Sequence, residues 1–482
     1  MSAITSGQDA PHYGYFLKGT WHDDTPSYEL RSPYSNELIA HVHRAGPEQL
    51  ETATQAAQAA FAQTKQLPAH ERTRILRAIV DGITARSEEF ARTIAQEAAK
   101  PIKQARVEVG RSIFTFAQAA EEASRIHGEL LTLDAHPNGV GRQGLYKRFP
   151  IGPISAITPF NFPLNLVAHK VAPAIAAGCP IVLKPASQTP LTSLKLAEVV
   201  HAAGWPEGAL AVLPMKSSDA GPLISDERFK LLTFTGSPAV GWKMKEQAGQ
   251  KRVTLELGGN AGVIIHEDAD LDLAVSRTVM GGFSYAGQTC ISVQRVFVHE
   301  TIFDAFMERF VPAVKALKLG DPLDESSDLS ALISAGDGER IKEWLAEARA
   351  AGAEVVLGGG IDGGKVEPTI VVKAGPELRL NCQEVFAPVV TVQSYSDFDE
   401  ALEAINNSEF GLQAGVFTNN LKLSWKAFET LEVGGVIIND VPTWRVDHMP
   451  YGGAKSSGFG REGLRYAIEE MTEMKLLVLN LS

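Results

Sequence analysis

Between Leu145 and Gly259 the sequence alternates short apolar runs with amphipathic helical segments. The apolar runs are PISAIT, PIVLKPAS, ALAVLP and KLLTFTG, and residues 167–177 and 191–203 have helical spacing. Strands that alternate with helices build a mainly parallel sheet, because two parallel strands need a crossover connection between them. Ligands of such sheets bind at the carboxyl ends of the strands. The pattern therefore predicts an α/β fold with a ligand site at one edge of its sheet.

A second α/β region is predicted after Gly259, and a set of helices before Leu145. The later apolar runs are RVFVHE, AEVVLGG, PVVTVQSY and GGVIIND, with helical spacing over residues 302–317; the early helices cover residues 49–98. LGGGIDGG at 357–364 is predicted to be a surface hairpin turn. The final MKLLVLNLS is apolar and has no following helix. We expect it to pair with another sheet, including one across a subunit boundary, because unpaired apolar edges aggregate.

The composition narrows the classes of function. The chain has 482 residues, 44% of them hydrophobic and 21% charged, with a formal net charge of -12. This length predicts two or more structural units, and the proportion of hydrophobic to charged residues excludes a disordered chain. The sequence has no Lys/Arg-rich run that could bind nucleic acid or an anionic membrane. We therefore expect small-molecule ligands and neither nucleic-acid nor membrane partners.

The three cysteines, Cys179, Cys290 and Cys382, form no CxxC motif and no His/Cys ligand spacing. Neither a disulfide framework nor a metal site is indicated, and a reducing compartment fits best. The N-terminal MSAITSGQDAPHYGYF lacks the basic and apolar regions of a secretory signal. We therefore expect the protein to be cytoplasmic. The ordinary role of such cysteines is packing.

Two glycine motifs are candidates for a nucleotide-binding loop. Gly458, Gly460 and Gly463 satisfy G-x-G-x-x-G, but too few residues follow for the βαβ unit of about 30 residues that this motif must open. TFTGSPAVG is the better candidate, because a predicted strand leads into Gly236 and Ser237 and then into a helix. The free N–H groups and positive dipole end of that helix suit a pyrophosphate. The glycine spacing by itself is weak evidence for nucleotide binding, because such glycines are often only turn residues.

Cys290 lies in FSYAGQTCISVQR, a small and polar setting for a packing residue. Other motifs surround it in the chain: ITPFNFP (157–163), LKPASQTP (183–190), LELGGN (255–260), GQTC (287–290) and EVFAP (384–388). In this order they resemble the aldehyde dehydrogenase superfamily, from KGTW (18–21) to GAKSSGFGREG (453–463). TWRVDHMPYGG (443–453) is similar to the branches acting on lactaldehyde, on glyceraldehyde 3-phosphate without phosphorylation, and on phosphonoacetaldehyde. Several motifs in the correct order are more specific than any one of them.

The resemblance implies an aldehyde dehydrogenase-like α/β fold with a Rossmann-type cofactor domain, an α/β catalytic domain and a small β oligomerisation extension. We expect residues 1–126 and 149–257 to form the NAD(P)-binding domain and residues 258–455 the catalytic domain. Residues 127–148 and 456–482 would form the oligomerisation segment of a homodimer or homotetramer.

The resemblance also implies that Cys290 attacks an aldehyde, giving a thiohemiacetal that loses a hydride to NAD or NADP and becomes a thioester. This role suits Cys290 if nearby N–H groups lower its pKa. Asn161 matches the side-chain donor to the oxyanion, a contact typically worth about 3–4 kcal/mol. Glu256 matches the general base that activates water against the thioester. Relatives that transfer the acyl group to coenzyme A tend to lack this glutamate, so we expect a free carboxylic acid as product.

Positions that match the family's cofactor site are Thr158, Lys184, Gly236, Ser237, Glu384 and Phe386. Lys184 would reach the adenosine ribose, Gly236 and Ser237 the pyrophosphate, and the last two the nicotinamide ribose. Ser187 departs from many NAD-preferring relatives, which carry a glutamate there that repels a 2′-phosphate. We therefore expect NADP to be tolerated or preferred, with NAD also accepted.

Four residues are candidates for the distal end of the substrate: Arg111, Arg295, Arg445 and His448. An arginine can hold a carboxylate, phosphonate or phosphate through two hydrogen bonds. The alternative is a salt-bridged surface arginine, which is the commoner case. The predicted substrate is a short aldehyde that carries an anionic or hydroxyl group.

Other functions remain open for the same residues. A cysteine-dependent esterase or thioesterase would turn over activated esters without a cofactor. A non-catalytic family member would be a structural or binding protein and would be expected to lack Cys290, Asn161 or Glu256, all of which are present. Two of these residues also have a non-catalytic interpretation. Asn161 could be an ordinary turn residue, and Glu256 could be a surface glutamate.

Overall fold

The computed structural model of the chain describes residues 10–481. Residues 1–9, which begin the stretch interpreted as lacking a secretory signal, lie outside the described residues. Within residues 10–481 no helix is both long and apolar enough to cross a membrane.

The strands, in chain order, have these bounds. The first twelve are β1 His12–Tyr13, β2 Tyr15–Leu17, β3 Thr20–His22, β4 Ser27–Arg31, β5 Leu38–His43, β6 Glu129–Leu131, β7 Arg142–Pro150, β8 Ile154–Ile157, β9 Ile181–Lys184, β10 Leu210–Val212, β11 Leu231–Thr235 and β12 Arg252–Glu256. The later ones are β13 Ala261–Ile265, β14 Val293–His299, β15 Glu354–Leu357, β16 Ile361–Asp362, β17 Lys365–Val366, β18 Thr369–Val372, β19 Val389–Tyr395, β20 Phe410–Gly411, β21 Gln413–Phe417, β22 Gly435–Ile438, β23 Ala454–Lys455, β24 Gly458–Phe459 and β25 Thr472–Asn480.

The α-helices follow the predicted segments closely. They are α1 Pro47–Thr64, α2 Ala69–Ala85, α3 Ser87–Ala98, α4 Ile102–Ala123, α5 Asn165–Ala177, α6 Pro190–Ala202, α7 Gly221–Ser225, α8 Pro238–Gln247, α9 Leu271–Phe283, α10 Phe303–Lys315, α11 Ala335–Ala350, α12 Arg379–Cys382, α13 Phe398–Asn406, α14 Leu421–Thr430 and α15 Leu464–Glu470. The early helical stretch is broken before α2, because Pro68 lacks the N–H that an uninterrupted helix would need.

The predicted α/β fold is confirmed by an eight-stranded sheet of order β24-β12-β11-β8-β9-β10-β2-β3. Strands β12, β11, β8, β9 and β10 run parallel in it. From β8 the chain goes first to β9 and β10 on one side and then to β11 and β12 on the other. The direction of strand order therefore reverses beside β8, and a crevice for ligands opens there at the carboxyl ends of the strands.

The second α/β region forms a seven-stranded sheet of order β15-β18-β19-β14-β13-β21-β22. Its central strand β14 is buried at every residue, as expected of a strand that is covered on both faces. One apolar core joins this sheet to α9 and α10, and another lies on the side of α13. The predicted hairpin at 357–364 contains β16, which turns through Gly363 and Gly364 into β17.

A three-stranded antiparallel sheet, β25-β7-β6, stands apart from the two larger ones. The C-terminal strand β25 pairs along its length with β7 of the same chain, so its pairing needs no subunit boundary. Residues 456–471, grouped with this sheet from the sequence, instead join the first unit: β24 pairs with β12, and α15 contacts α5. This also accounts for the G-x-G-x-x-G motif, whose first glycine lies in an edge strand.

Candidate active site

A cavity of about 1070 Å³ lies where the two large sheets face each other. The eight-stranded unit contributes Asn161, Gly236 and Glu256 to its wall, and the seven-stranded unit contributes Cys290 and Glu384. The structure thus brings together the three residues predicted to carry the chemistry, although they come from separate parts of the chain.

The loop before Cys290 has an uncommon backbone conformation. Tyr285, Ala286 and Gly287 are consecutive residues with φ of 50°, 52° and 71°. Only glycine adopts this left-handed region without cost, and for other residues the cost is roughly 1–2 kcal/mol each. At Gly287 a side chain would also collide with the carbonyl of Ala387. The surrounding packing therefore holds a strained turn that places Cys290 at the cavity wall.

The sulfur of Cys290 lies 3.0 Å from the hydroxyl oxygen of Tyr451. The thiol is half-buried, and burial raises its pKa to about 12, against the lowering effect of the Tyr451 contact. The pKa is therefore not lowered in this state, contrary to the condition set from the sequence. The resting thiol stays protonated at neutral pH, and its attack on a carbonyl requires a group that takes up the proton.

The glycines of LELGGN allow two parts of the site to approach the backbone. A Cβ at Gly258 would meet the carboxylate of Glu384, and a Cβ at Gly259 would meet the carbonyl of Cys290. The N–H of Gly259 donates to Glu384 at 2.9 Å. Because these two positions are glycines, the backbone after β12 can lie directly against both Cys290 and Glu384.

Glu256, the last residue of β12, is 3% exposed and lines the cavity. Neither of its carboxylate oxygens has a hydrogen-bond partner among the described residues. Burial raises its pKa well above 4.5, and the nearby Glu462 adds to that effect, whereas Arg445 and Lys170 oppose it. Such a carboxyl group is suited to accept a proton near neutral pH.

Buried charges surround this carboxylate. Glu462 lies 3.4 Å from the ammonium of Lys170 and 3.3 Å from the guanidinium of Arg445. Asp447 accepts hydrogen bonds from His169 at 2.9 Å and from Asn165 at 3.0 Å. Each buried carboxylate of this group thus has a cationic or hydrogen-bonding partner, which leaves Glu256 as the one without a direct partner.

The loop that carries Asn161 is held by a buried ion pair between Lys100 and Glu108. Lys100 also donates to the carbonyl oxygen of Asn161 at 2.6 Å, and Glu108 accepts from the N–H groups of Leu164 and Asn165. Within this loop the amide nitrogen of Asn161 donates to the carbonyl of Gln288 at 3.0 Å. The amide therefore reaches the segment two residues before Cys290 and has one further N–H to donate.

Sequence reasoning missed Lys100 and Glu108, although a signal existed for the second. Glu108 falls at helical spacing with Ala105, Val109 and Ser112, all of them buried in α4. A carboxylate on the apolar face of a helix needs a buried partner. The identity of that partner, Lys100, follows only from the tertiary structure.

The end of the cavity toward α8 fits a dinucleotide. Gly236 and Ser237 line it and lead into α8, whose first turn has unpaired N–H groups. Phe386, with φ of 50°, packs edge-to-face on Phe160 across the cavity, with ring centroids 6.0 Å apart. Burial raises the pKa of Glu384 to about 7.

Thr158, Lys184 and Ser187 do not line the cavity. Thr158 directly follows β8, Lys184 is the last residue of β9, and Ser187 comes three residues later. Lys184 is 6% exposed and has no hydrogen-bond or carboxylate partner among the described residues, and burial lowers its pKa. The carbonyl of Ser187 accepts from the hydroxyl of Tyr28 at 2.8 Å. Arg44, whose guanidinium lies 4.1 Å from the centre of the Tyr28 ring, was not recognised from the sequence.

The candidates for the substrate side separate into two groups. Arg111 and Arg445 line the cavity. Arg111 is 27% exposed and is held by two hydrogen bonds to Asp447, whereas Arg445 is 6% exposed and stacks on Tyr451. Among the described residues, the buried Nε of Arg445 has no hydrogen-bond partner, and it lies 3.9 Å from the Asp447 carboxylate.

Arg295 and His448, the other two residues predicted for the distal end of the substrate, lie outside the cavity lining. The Arg295 guanidinium is buried and donates to the backbone carbonyls of Asn260, Ala404 and Ile405. These hydrogen bonds give Arg295 a structural role, because they connect β14 to the segment before β13 and to α13. His448 is exposed and packs edge-to-face on Phe114.

The other two cysteines have backbone partners. Cys179 is buried and donates to the carbonyl of Met471, and Cys382 donates to that of Glu377. Over residues 10–481, no group of three or more His, Cys, Asp or Glu side chains has an arrangement that could hold a metal ion.

Comparison with known proteins extends over the whole chain. The family model described as aldehyde dehydrogenase family matches residues 21–477. The 3-sulfolactaldehyde dehydrogenase of Priestia aryabhattai is 42% identical over 479 residues, which cover 99% of this chain and 100% of that protein.

Two solved structures resemble this one closely. Aldehyde dehydrogenase 21 from Physcomitrella patens, in complex with the reaction product succinate, has a TM-score of 0.96 and 47% identity, covering 98% of this chain and 99% of that one. The glyceraldehyde-3-phosphate dehydrogenase GapN from Methanocaldococcus jannaschii, complexed with NADP, has a TM-score of 0.91 and 39% identity, covering 95% and 100%.

Proposed function

The chain belongs to the aldehyde dehydrogenase family, and from this premise we propose that it oxidises a short anionic or hydroxylated aldehyde to the free carboxylic acid, with NAD or NADP as the hydride acceptor. The observation that carries the proposal is the meeting of Cys290, Asn161 and Glu256 at one cavity, with the Glu256 carboxylate unpaired. A carboxylate buried without a partner costs stability, so its presence beside a nucleophile favours a chemical role.

In this proposal the thiol proton of Cys290 passes to solvent water, the sulfur forms a bond to the aldehyde carbon, and the carbonyl oxygen becomes an oxyanion. The free N–H of the Asn161 amide and the backbone N–H of Cys290 donate to that oxygen. NAD or NADP, held at the α8 end of the cavity, would supply the acceptor for the hydride that leaves the same carbon, and Cys290 would then carry a thioester. Glu256 then takes a proton from water, whose oxygen attacks the thioester carbon, and the carbon–sulfur bond breaks to release the carboxylic acid and the thiol.

The charge at the far end of the cavity supports a small anionic substrate. Arg111 is the more accessible of the two lining arginines that sequence reasoning named, and its bidentate contact with Asp447 fixes the orientation of the guanidinium. One relative is named for 3-sulfolactaldehyde, and one similar structure holds succinate as reaction product; both are short anionic compounds. We infer that Arg111 meets the anionic end of the substrate together with the guanidinium of Arg445, whose Nε has no hydrogen-bond partner.

The cofactor proposal depends on the absence of a carboxylate at position 187. Ser187 places no negative charge where a 2′-phosphate would bind, and Tyr28, whose hydroxyl donates to the carbonyl of Ser187, lies against the guanidinium of Arg44. The GapN structure contains NADP, which supports use of NADP by this chain as well. NAD lacks only the 2′-phosphate and would be accepted with fewer contacts.

We also propose that the protein self-associates through the sheet of β6, β7 and β25. One face of this sheet exposes the apolar side chains of Leu130, Leu145, Leu477 and Leu479, which are 39% to 72% exposed. Contiguous apolar patches on soluble proteins commonly mark interaction surfaces. A homodimer or homotetramer would cover them.

The test is an absorbance assay of nicotinamide reduction over a panel of short aldehydes, run with each cofactor and with or without coenzyme A. We expect turnover that is fastest with anionic or hydroxylated aldehydes, with the free acid as product whether or not coenzyme A is present. Ester hydrolysis without any aldehyde-dependent reduction would refute the proposal, and an acyl-coenzyme A product would refute the role of Glu256.

A further inference from the structure

The hydroxyl of Tyr451 contacts the sulfur of Cys290, and sequence reasoning gave this tyrosine no role. The two atoms are 3.0 Å apart, although the residues are 161 positions apart in the chain. Among the described residues, Tyr451 is the hydrogen-bond partner of this sulfur. Its side chain is 3% exposed, so no solvent-filled space separates it from the thiol.

The backbone holds Tyr451 in this position. Its N–H donates to the carbonyl of Glu462 at 3.1 Å, and the N–H of Glu462 donates back at 2.6 Å. The ring packs with Ile291, Leu412 and Cys290 in a small apolar cluster. The hydroxyl therefore cannot turn far from the sulfur without breaking the local packing.

A positive charge lies directly on the ring of Tyr451. The guanidinium carbon of Arg445 is 3.6 Å from the ring centroid, and the same guanidinium is fixed by Glu462 at 3.3 Å. A cation over an aromatic face attracts ring electrons. This withdrawal makes the phenol hydroxyl a stronger hydrogen-bond donor, above all toward an anion.

The ionisable groups that act on the thiol are Tyr451, Glu384, Arg445 and Glu256. Burial and the two carboxylates oppose a negative charge on sulfur. Arg445 favours that charge, but it acts from behind the tyrosine ring and does not contact the sulfur. The hydroxyl of Tyr451 is therefore the group placed to donate directly to a thiolate.

We propose that Tyr451 is a catalytic hydrogen-bond donor that stabilises the Cys290 thiolate, with Arg445 strengthening the donor. In the resting protein either atom can donate to the other. When the thiol loses its proton, the hydroxyl proton points at the sulfur, and a hydrogen bond to a charged acceptor is stronger than one to a neutral acceptor. The inference rests on the proposed function, because it takes Cys290 to be the nucleophile.

The test is the pH dependence of Cys290 alkylation by iodoacetamide, measured by mass spectrometry of the peptide that contains Cys290. Tyr451→Phe removes only the hydroxyl and keeps the ring beneath Arg445. We expect the midpoint of the alkylation titration to rise by about one pH unit or more, with roughly a tenfold slower reaction below the midpoint. The rate reached at high pH should stay near that of the parent, because the thiolate itself remains.

Tyr285→Phe is the matched control. Tyr285 is a buried tyrosine that also lines the cavity, but its hydroxyl donates to the carbonyl of Ala98 at 2.9 Å and not to the sulfur. Loss of this hydroxyl should leave the Cys290 titration unchanged. A second variant, Arg445→Lys, keeps a positive charge for Glu462 but loses the planar stacking on Tyr451, and should shift the midpoint in the same direction by a smaller amount.

An unchanged midpoint in Tyr451→Phe, with a thermal unfolding curve near that of the parent, would overturn the proposal. An equal shift in Tyr285→Phe would also overturn it, because the effect would then be a general response to losing a buried hydroxyl. If Cys290→Ala still oxidises aldehydes, the proposed function fails, while the alkylation titration continues to measure the Tyr451 contact independently.

Discussion

Replacing Glu256 by Gln should stabilise the protein at neutral and alkaline pH. Glu256 is 3% exposed, and neither carboxylate oxygen has a hydrogen-bond partner among the described residues. Burial, together with the nearby Glu462, raises its pKa well above 4.5. Gln has nearly the same shape but cannot ionise, so the variant removes the buried charge and retains most of the packing.

The sign follows from the protons that each state binds. Between pH 4.5 and the folded pKa of Glu256, the folded protein keeps a proton that the unfolded chain has released. The free energy of unfolding therefore falls as pH rises, by up to about 1.4 kcal/mol per pH unit from this group. Above the folded pKa, the free energy of unfolding has lost the whole contribution that is linked to this proton. Gln carries no charge in either state and escapes this loss, so we expect the variant to gain about 1.4 kcal/mol for each pH unit by which the folded pKa exceeds 4.5.

The assay is urea unfolding of the cofactor-free parent and variant, from about pH 5 to about pH 8. The gain should be small at the acid end and grow with pH. Glu108→Gln is the control, because that carboxylate is buried but paired with Lys100 and accepts from two backbone N–H groups. Its loss leaves the Lys100 charge unpaired and should destabilise the fold at every pH. A Glu256→Gln effect that is destabilising, or independent of pH, would refute the reasoning.

Three further predictions concern activity. Cys290→Ala should abolish aldehyde oxidation with little change in folding or cofactor affinity, measured by steady-state kinetics and cofactor titration; substantial hydride transfer by a homogeneous sample would exclude Cys290 as nucleophile. Ser187→Glu should lower kcat/KM for NADP far more than for NAD, through repulsion of the 2′-phosphate, and an equal response would show that Ser187 does not face that ribose. Arg111→Gln should lower kcat/KM for anionic aldehydes by about 10- to 100-fold, with propanal little affected; a parallel loss for both would make Arg111 structural.

The sequence alone was sufficient to predict the α/β class. Strands β8, β9, β10 and β11 were predicted as short apolar runs, because strand periodicity and turn residues are local properties of the chain. The order of those motifs also predicted the family, which the comparisons confirm. The sequence also excluded GFGREG as a dinucleotide-binding motif, because too few residues follow it to complete a βαβ unit.

The tertiary structure decided which charged residues face the cavity. Arg111 and Arg295 are indistinguishable in sequence, yet one lines the cavity and the other is tied to the backbone carbonyls of Asn260, Ala404 and Ile405. A local pattern shows that a polar side chain lies on a buried face, as for Glu108, but not what it meets there.

The contact between Tyr451 and Cys290 is the clearest such case. It joins residues 161 positions apart, and it depends on the left-handed turn at Tyr285 and on the pairing of Tyr451 with Glu462. The motifs supplied the chemical groups of the site because each is encoded within a few residues. Their hydrogen bonds, ion pairs and pKa values came only with the fold, because burial and distance are properties of segments that meet in space.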